Sequence, residues 1–360
     1  MTPLGEKIAQ HIQREGPISF RHFMDMALYD PQWGYYSRCR EIGARGDYYT
    51  AANVHPLFGE CLANQFLSLL GELGPTPEVT IVEVGAGTGR LAADVLEGLH
   101  RMAPELAGRI EYVIAERSPA LRQVQRENLK PFSRVTWQSL DEREAASVRG
   151  LIFSNELVDA LPVHRLIRQG KRIRELLVDW RDGQFHWTVG ELTDPRLREV
   201  LARWEAPLRD GQIIEVNLEA CEYLQRAATL LEEGYVVTID YGDVRARLYT
   251  PERDRGTLRC FYRHLVHDDP FVRVGEQDIT TSVDFTLLME WGERVGLSMI
   301  QFVTQREFLM NQGILERLAQ MIGQERGVAG LASVLSAKHL LMPGAWGDHF
   351  KLLIQRKSCG

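Results

Sequence analysis

Residues 79–91, Val79-Thr80-Ile81-Val82-Glu83-Val84-Gly85-Ala86-Gly87-Thr88-Gly89-Arg90-Leu91, constrain this chain more than any other stretch. The β-branched run reads as a buried strand, and the glycines after it read as a tight turn that opens a helix. Three glycines at alternate positions let the backbone approach a ligand closely at a helix N-terminus. The spacing is E-x-G-x-G-x-G. A dinucleotide fingerprint asks for G-x-G-x-x-G, and its last position is occupied here by Arg90. An acid before the turn sits poorly against a pyrophosphate. Glu83 instead suits a ligand with a cationic amino-acid end.

A strand, turn and helix of this kind needs an α/β sheet around it, and the surrounding sequence supplies one. Strands are expected near 79–84, 110–116, 134–138, 150–155 and 235–240, with helices near 89–102, 118–129 and 217–233. Short apolar runs alternating with helices imply a parallel sheet with right-handed crossovers. The alternation breaks after residue 160. Leu166-Ile167, 173–178 and 185–189 read as antiparallel strands, with Asp182-Gly183 as a hairpin turn, and a helix follows near 195–204. Residues 241–281 read as a long polar loop carrying Arg245, Arg247, Arg253, Arg255, Arg259 and Arg263, and a loop of that length is usually functional. A helix at 283–295, a strand at 298–303, helices over 305–337 and a final strand at 349–356 close the chain.

The expected organisation is an N-terminal helical and aromatic lid over 1–74, a nucleotide-type domain over 75–160 and 215–360, and an inserted β-rich subdomain over 161–214. A chain of 360 residues accommodates this as one large domain or two smaller ones. Helices at 56–70 and 305–337 are broad enough to pack between protomers or to cover the sheet, so a homodimer is open.

Composition narrows the function classes. The net charge of −7 argues against sequence-independent nucleic-acid binding. The five cysteines are scattered, with no C-x-x-C pair, which fits a reducing compartment and points to neither zinc nor a redox motif. His264-Leu265-Val266-His267-Asp268-Asp269 lies in an arginine-rich context without nearby cysteine pairs, and no metal site is expected there. The N-terminus has no apolar signal region and no run is long enough to span a membrane, so a cytoplasmic location and no membrane insertion are expected.

Ligands of open α/β sheets sit at the carboxyl ends of the strands, near the point where strand order reverses. The strand ends therefore name the candidates. The first supplies Glu83, Gly85, Gly87 and Gly89. The second ends in Glu116, an acid that can hold both hydroxyls of a ribose, or be merely a solvated strand-end carboxylate. Gln138 follows the third strand, on the side where an adenine would lie. The fourth gives Asn155, Glu156 and Asp159, polar groups beside the reacting atoms. Asp159 can equally be a residue that just terminates the strand. The fifth gives Asp240-Tyr241-Gly242. In the aromatic N-terminal loop, Asp47 and Thr50 are candidates for the amino-acid end of the ligand, against the plainer reading of a packed lid.

The acid-and-glycine turn resembles motif I of class I methyltransferases, which bind S-adenosylmethionine (SAM). The ordered set of segments resembles the MidA family, which includes a mitochondrial complex I assembly-factor methyltransferase. The matching stretches include Gly16-Pro17-Ile18-Ser19-Phe20, Tyr29-Asp30-Pro31 with Gly34-Tyr35-Tyr36, and Gly46-Asp47-Tyr48-Tyr49-Thr50. They continue through Glu83 to Gly89, Asn155 to Val163, Asp240-Tyr241-Gly242, and Gly275 to Thr280 with Val283-Asp284-Phe285. The resemblance implies an α/β fold with a Rossmann-like class I methyltransferase sheet, mostly parallel with an antiparallel last strand. It also implies a SAM-dependent enzyme whose mitochondrial member methylates arginine on a subunit of respiratory complex I (NADH dehydrogenase). Two departures stand out. Ala86 occupies a position where the family often has proline, and Thr281-Ser282 stands where many relatives have Ala-His. The chain begins directly on the family segment, which favours a bacterial cytoplasmic protein.

A guanidinium is always charged and must be oriented by carboxylates and lose a proton to act as a nucleophile. Glu156 and Asp159, with Asp47 and Asp240, offer such acids, and Asn155 accompanies them. The expected site is thus catalytic Glu156, Asn155 and Asp159, with Asp47, Thr50, Glu83, Gly85, Gly87, Gly89, Glu116, Gln138 and Asn155 around SAM. Two competing readings remain. A closed pocket under the arginine-rich loop would suit a small anionic acceptor, and an assembly factor could bind SAM without turnover. A nicotinamide oxidoreductase is disfavoured by Arg90 and by the acid before the turn.

Overall fold

The computed structural model describes residues 1–38, 55–74, 78–205, 207–324, 335–338, 340–342 and 346–358. Its strands are β1 (Ile18–Ser19), β2 (Val79–Val84), β3 (Ile110–Ala115), β4 (Val135–Trp137), β5 (Val148–Asn155), β6 (His164–Gln169), β7 (Arg172–Arg181) and β8 (Gln184–Gly190). They continue with β9 (Ile213–Val216), β10 (Leu231–Asp243), β11 (Arg259–Tyr262), β12 (Leu265–His267), β13 (Asp278–Thr280), β14 (Val283–Asp284), β15 (Ser298–Thr304) and β16 (Phe350–Lys357).

The apolar run at 79–84 lies at the heart of the main sheet, whose order is β15-β16-β10-β5-β2-β3-β4. Neighbours from β10 through β4 run parallel. β16 is antiparallel to both β10 and β15, as the family resemblance implied. From β2 the chain moves outward to β3 and β4, then returns to β5 on the other side of β2. Strand order therefore reverses between β2 and β5, and the crevice at that reversal is where such sheets bind ligands.

Both faces of the sheet are covered, which is why its central strands are apolar on both sides. One face packs against the helices Leu57–Glu72 and Arg90–Met102 through residues such as Phe58, Phe66, Val95, Ile81 and Phe153. The other packs against Leu218–Leu230 and Phe285–Arg294 through Leu224, Ala227, Phe285, Val82 and Ile152.

A second sheet has the order β1-β7-β6-β9, with β8 also on β7. The Asp182-Gly183 turn closes the β7–β8 hairpin with φ of 52° and 79° at its two central residues, as a two-residue hairpin requires. The two-residue β1 comes from the N-terminal segment and pairs Ile18 with Val178. The helices Pro3–Glu15 and Phe20–Tyr29 on either side of it bury Leu4, Ile8, Phe20 and Phe23 in one core with Val163, Val178 and Ile279. The N-terminal segment is thus built into the second sheet and does not stand apart from it.

Residues 241–281 differ from the loop expected of them. β10 runs on to Asp243, a short helix spans Arg245–Leu248, and β12-β11-β13 form a three-stranded antiparallel sheet. Arg245, Arg247 and Arg263 have partners within the fold. Arg245 is buried, bonds to Asp284 at 2.8 Å and to Glu290 at 3.0 Å, and lies over the Trp204 ring. Arg247 pairs with Asp243, and Arg263 lies over Tyr262. Of the helices expected over 305–337, Gln305–Asn311 and Ile314–Gln324 are present, and most of the remainder lies outside the described residues.

Candidate active site

A cleft of about 440 Å³ opens at the carboxyl ends of β2, β3 and β5, a volume within the rough 300–1,000 Å³ range of small-ligand sites. The sequence-derived residues Glu83, Gly85, Gly87, Glu116, Asn155 and Glu156 all line it. Gly89 stands just behind, as the N-cap of the helix Arg90–Met102. Asp159 is buried next to the wall formed by Ala160 and Leu161. Gln138 is not brought to the cleft: its amide donates to the Glu142 carbonyl and accepts from Arg143 at 3.0 Å. Asp47 and Thr50 lie outside the described residues.

The glycine turn owes its shape to left-handed backbone, with φ of 72° at Gly85, 54° at Gly87 and 78° at Gly89. It is tied down by Gly85 N donating to the Ala115 carbonyl at 2.9 Å and Gly89 N to that of Ala86 at 2.8 Å. A Cβ on Gly85 would also sit 2.8 Å from Leu157 Cδ1, across the mouth of the cleft. The left-handed conformation favours glycine there, and a Cβ would also require the Leu157 side chain to shift.

Two carboxylates flank the turn. Glu83 is 2 % exposed and accepts a 2.6 Å hydrogen bond from the Tyr112 hydroxyl. Burial pushes its carboxyl up to about 7, the Tyr112 bond works against that rise, and the charge of Glu116 adds to it. Glu83 is therefore a carboxylate held near its titration point, which a bound cation converts to the ionised form. Glu116 is buried too, and accepts from Ser118 N at 2.8 Å and from Gln125 Nε2 at 3.2 Å. Burial raises its carboxyl, and those two donors oppose the rise. They leave lone pairs on the same oxygens for a ligand's hydroxyls.

The third side of the cleft is the turn after β5. Glu156 has φ of 53° and donates its N–H to the Ile239 carbonyl at 2.9 Å. A non-glycine residue in left-handed backbone is strained, and such strain gathers at functional sites. Asn155 Nδ2 donates to Glu156 Oε1 at 3.2 Å. Asp240 underpins the turn: its Oδ2 accepts from Val158 N at 2.9 Å and Asp159 N at 3.2 Å, and its Oδ1 from Tyr241 N at 2.9 Å. Burial raises the carboxyls of both Asp159 and Asp240, and the charges of Asp159 and Glu156 raise Asp240 further.

Sequence reasoning passed over part of the wall. Tyr29, Tyr36 and Arg117 also line the cleft. The Tyr29 hydroxyl donates to the Ala160 carbonyl at 3.0 Å, and the Arg117 guanidinium lies 4.8 Å over the Tyr29 ring. Tyr36 stacks on Tyr29 with ring centroids 5.5 Å apart and donates to Asp278 Oδ1 at 2.8 Å. The signal was in the aromatic stretch 29–36, which reads as packing alone when its tertiary neighbours are unknown. The site thus offers a carboxylate for a cation at Glu83, a close-approach backbone turn, an acid for a diol at Glu116, and a polar, acidic rim at Asn155 and Glu156. That donor set fits SAM, a molecule with an ammonium end, a ribose and a transferable group between them.

Comparison with known proteins gives the same cofactor. Residues 61–303 match the model of a family of S-adenosyl-L-methionine-dependent methyltransferases. The mouse (Mus musculus) mitochondrial protein arginine methyltransferase NDUFAF7 is 27 % identical over 384 residues, covering 97 % of this chain and 83 % of its own. Its zebrafish (Danio rerio) counterpart is 28 % identical, covering 96 % and 84 %. A solved COG1565 superfamily member from Burkholderia thailandensis, bound to S-adenosyl-homocysteine, superposes with a TM-score of 0.88 at 31 % identity, over 99 % of this chain and 92 % of that one. The expectation of a cytoplasmic location is corrected by the curated relatives, which are named as mitochondrial proteins. No helix among the described residues is long and apolar enough to cross a membrane.

Proposed function

The chain belongs to the S-adenosyl-L-methionine-dependent methyltransferases, and we propose that it methylates arginine side chains of a protein. The resemblance to the MidA family extends this to a subunit of respiratory complex I. The observation that carries the proposal is the acidic, polar rim at Asn155 and Glu156, which shares one cleft with Glu83, the glycine turn and Glu116.

In this reading Glu83 takes the ammonium end of the cofactor, the turn from Gly85 to Gly89 approaches its middle, and Glu116 takes the ribose hydroxyls. Asp47 and Thr50 are assigned to the methionine end, and Gln138, which does not line the cleft, is given no direct contact. When bound, SAM supplies an electrophilic methyl group on a sulfonium. Glu156 orients the guanidinium and accepts the proton that its nitrogen gives up as the new N–C bond forms. Asn155 holds the Glu156 carboxylate in place, and Asp159, its carboxyl raised by burial, joins Asp240 in shaping the turn that carries Glu156. Residues 1–74 are proposed as a lid, 161–214 as an inserted subdomain, and 75–160 with 215–360 as the catalytic domain.

A small anionic acceptor loses part of its support, because Arg245 and Arg247 are paired with acids of the fold. The test is incubation with methyl-labelled SAM and a cell extract, followed by mass spectrometry. Label on protein arginine is expected. Label confined to small metabolites contradicts the protein acceptor, and SAM binding without any transfer contradicts the enzyme.

A further inference from the structure

The helix Pro119–Asn128 starts three residues beyond Glu116, the acid that follows β3, and is capped by the Ser118 hydroxyl, which accepts from Leu121 N at 3.3 Å. Pro119 at its first position suits such a start. The helix carries Gln125 back over the end of the sheet, where it is fully buried. A buried amide on an otherwise polar helix is costly unless its donors and acceptor are matched.

The matches here span the cofactor cleft. Gln125 Nε2 donates to the Gly87 carbonyl at 2.8 Å and to Glu116 Oε2 at 3.2 Å. Its Oε1 accepts from Trp137 Nε1 at 2.9 Å, at the end of β4. The nitrogen faces only acceptors and the oxygen faces a donor, so one orientation of the amide satisfies all three partners. Gln125 is also the packing surface for the turn, since a Cβ on Gly89 would lie 3.3 Å from Gln125 Cγ. One side chain thus ties the ends of β2, β3 and β4 together through the glycine turn, the acid and the indole. Gln125 itself does not line the cleft.

We propose that Gln125 is a positioning residue for the cofactor, holding Glu116 and the glycine turn at the spacing that SAM spans. This rests on the reading of Glu116 and the turn as the SAM site. It acts on affinity and leaves the chemical step alone, because it touches neither rim residue of the acceptor side. Groups that act through a shared partner are non-additive when mutated.

The test uses the full-length protein and isothermal titration with SAM. Gln125→Met keeps the volume and removes both donors; Glu116→Gln removes the acid; the double variant completes the cycle. Gln125→Met is expected to raise the SAM Kd about tenfold or more while kcat at saturating SAM stays within about twofold. In the Glu116→Gln background the same change is expected to cost clearly less. A Gln125→Met Kd within twofold of the parent, a fall in kcat that tracks the loss of folded protein, or fully multiplicative effects would each overturn the proposal. If Glu116→Gln weakens SAM and Gln125→Met does not, only the role of Gln125 fails. If Glu116→Gln has no effect, the assignment of the site fails with it. Should Gln125→Met not fold, Trp137→Phe, which removes the bond orienting the amide together with part of the indole ring, must itself weaken SAM, and an unchanged Kd overturns the proposal.

Discussion

At the scale of single residues, the cleft trades stability for binding. Glu83 is buried with its carboxyl raised to about 7 from an ordinary value of 4.5. A folded-state value above the unfolded one stabilises the protein at low pH, and that contribution is lost as pH rises from about 4.5 through about 7. The loss is on the order of 3 kcal/mol in the ligand-free protein. A cation at Glu83 reverses the preference, so SAM affinity should fall as pH drops below about 7. Glu83→Gln is expected to weaken SAM by about 10- to 100-fold and yet to raise the thermal midpoint of the ligand-free protein at pH 8. Titration calorimetry and melting curves at pH 5 and 8 check both signs; a lower midpoint at pH 8 would contradict this account of Glu83. Glu156 shows the same trade in backbone form. Its φ of 53° is strained for any residue with a Cβ, at a cost of about 1–3 kcal/mol. Glu156→Gly should therefore stabilise the fold and abolish turnover. Glu156→Gln should bind SAM normally while kcat falls by about 10²- to 10⁴-fold, and unchanged methylation would remove Glu156 from catalysis.

At the scale of elements, the legible parts were those whose burial demanded a pattern. β2, β3 and β5 are continuous apolar runs because helices cover both faces of the sheet, and the glycine turn is explicit in the residues. The small elements were hidden for the converse reason. β1 is two residues long and is recognisable only through its partner Val178. β11, β12 and β13 have three or four residues each, too few for an alternation to rise above the charged residues around them. Gln125 escaped because a buried polar residue on a polar helix leaves no periodic trace, whereas Gln138, conspicuous after a strand, turned out to be tied to its own turn. The arginines of 241–281 misled because sequence shows charges without their partners. Arg245 gives that point a test. Removing one member of a buried ion pair costs about 3–5 kcal/mol, so Arg245→Ala should lower the denaturation midpoint markedly. The KM for the acceptor should stay the same in the folded fraction. A raised KM with full stability would place Arg245 at the substrate instead.

At the scale of the whole molecule, the two sheets divide the work. The large sheet supplies the strand ends that bear Glu83, Glu116, Asn155 and Glu156. The second sheet carries the N-terminal segment through β1, and with it Tyr29 and Tyr36, which close one wall of the cleft. Their anchors are the Ala160 carbonyl and Asp278, the first beside the acceptor-side turn and the second in the small sheet. The N-terminal segment is thereby attached to the turn after β5 and to the small sheet, so the cleft is walled by three parts of the chain. The net charge of −7 suits a cationic acceptor delivered to an acidic rim. The measurement that tests this account most directly is mass spectrometry of a cell extract incubated with methyl-labelled SAM and either the parent protein or Glu156→Gln. The account predicts labelled arginine in protein with the parent and none with the variant, although both bind SAM. Label found only in small molecules, or equal labelling by the two proteins, would contradict it.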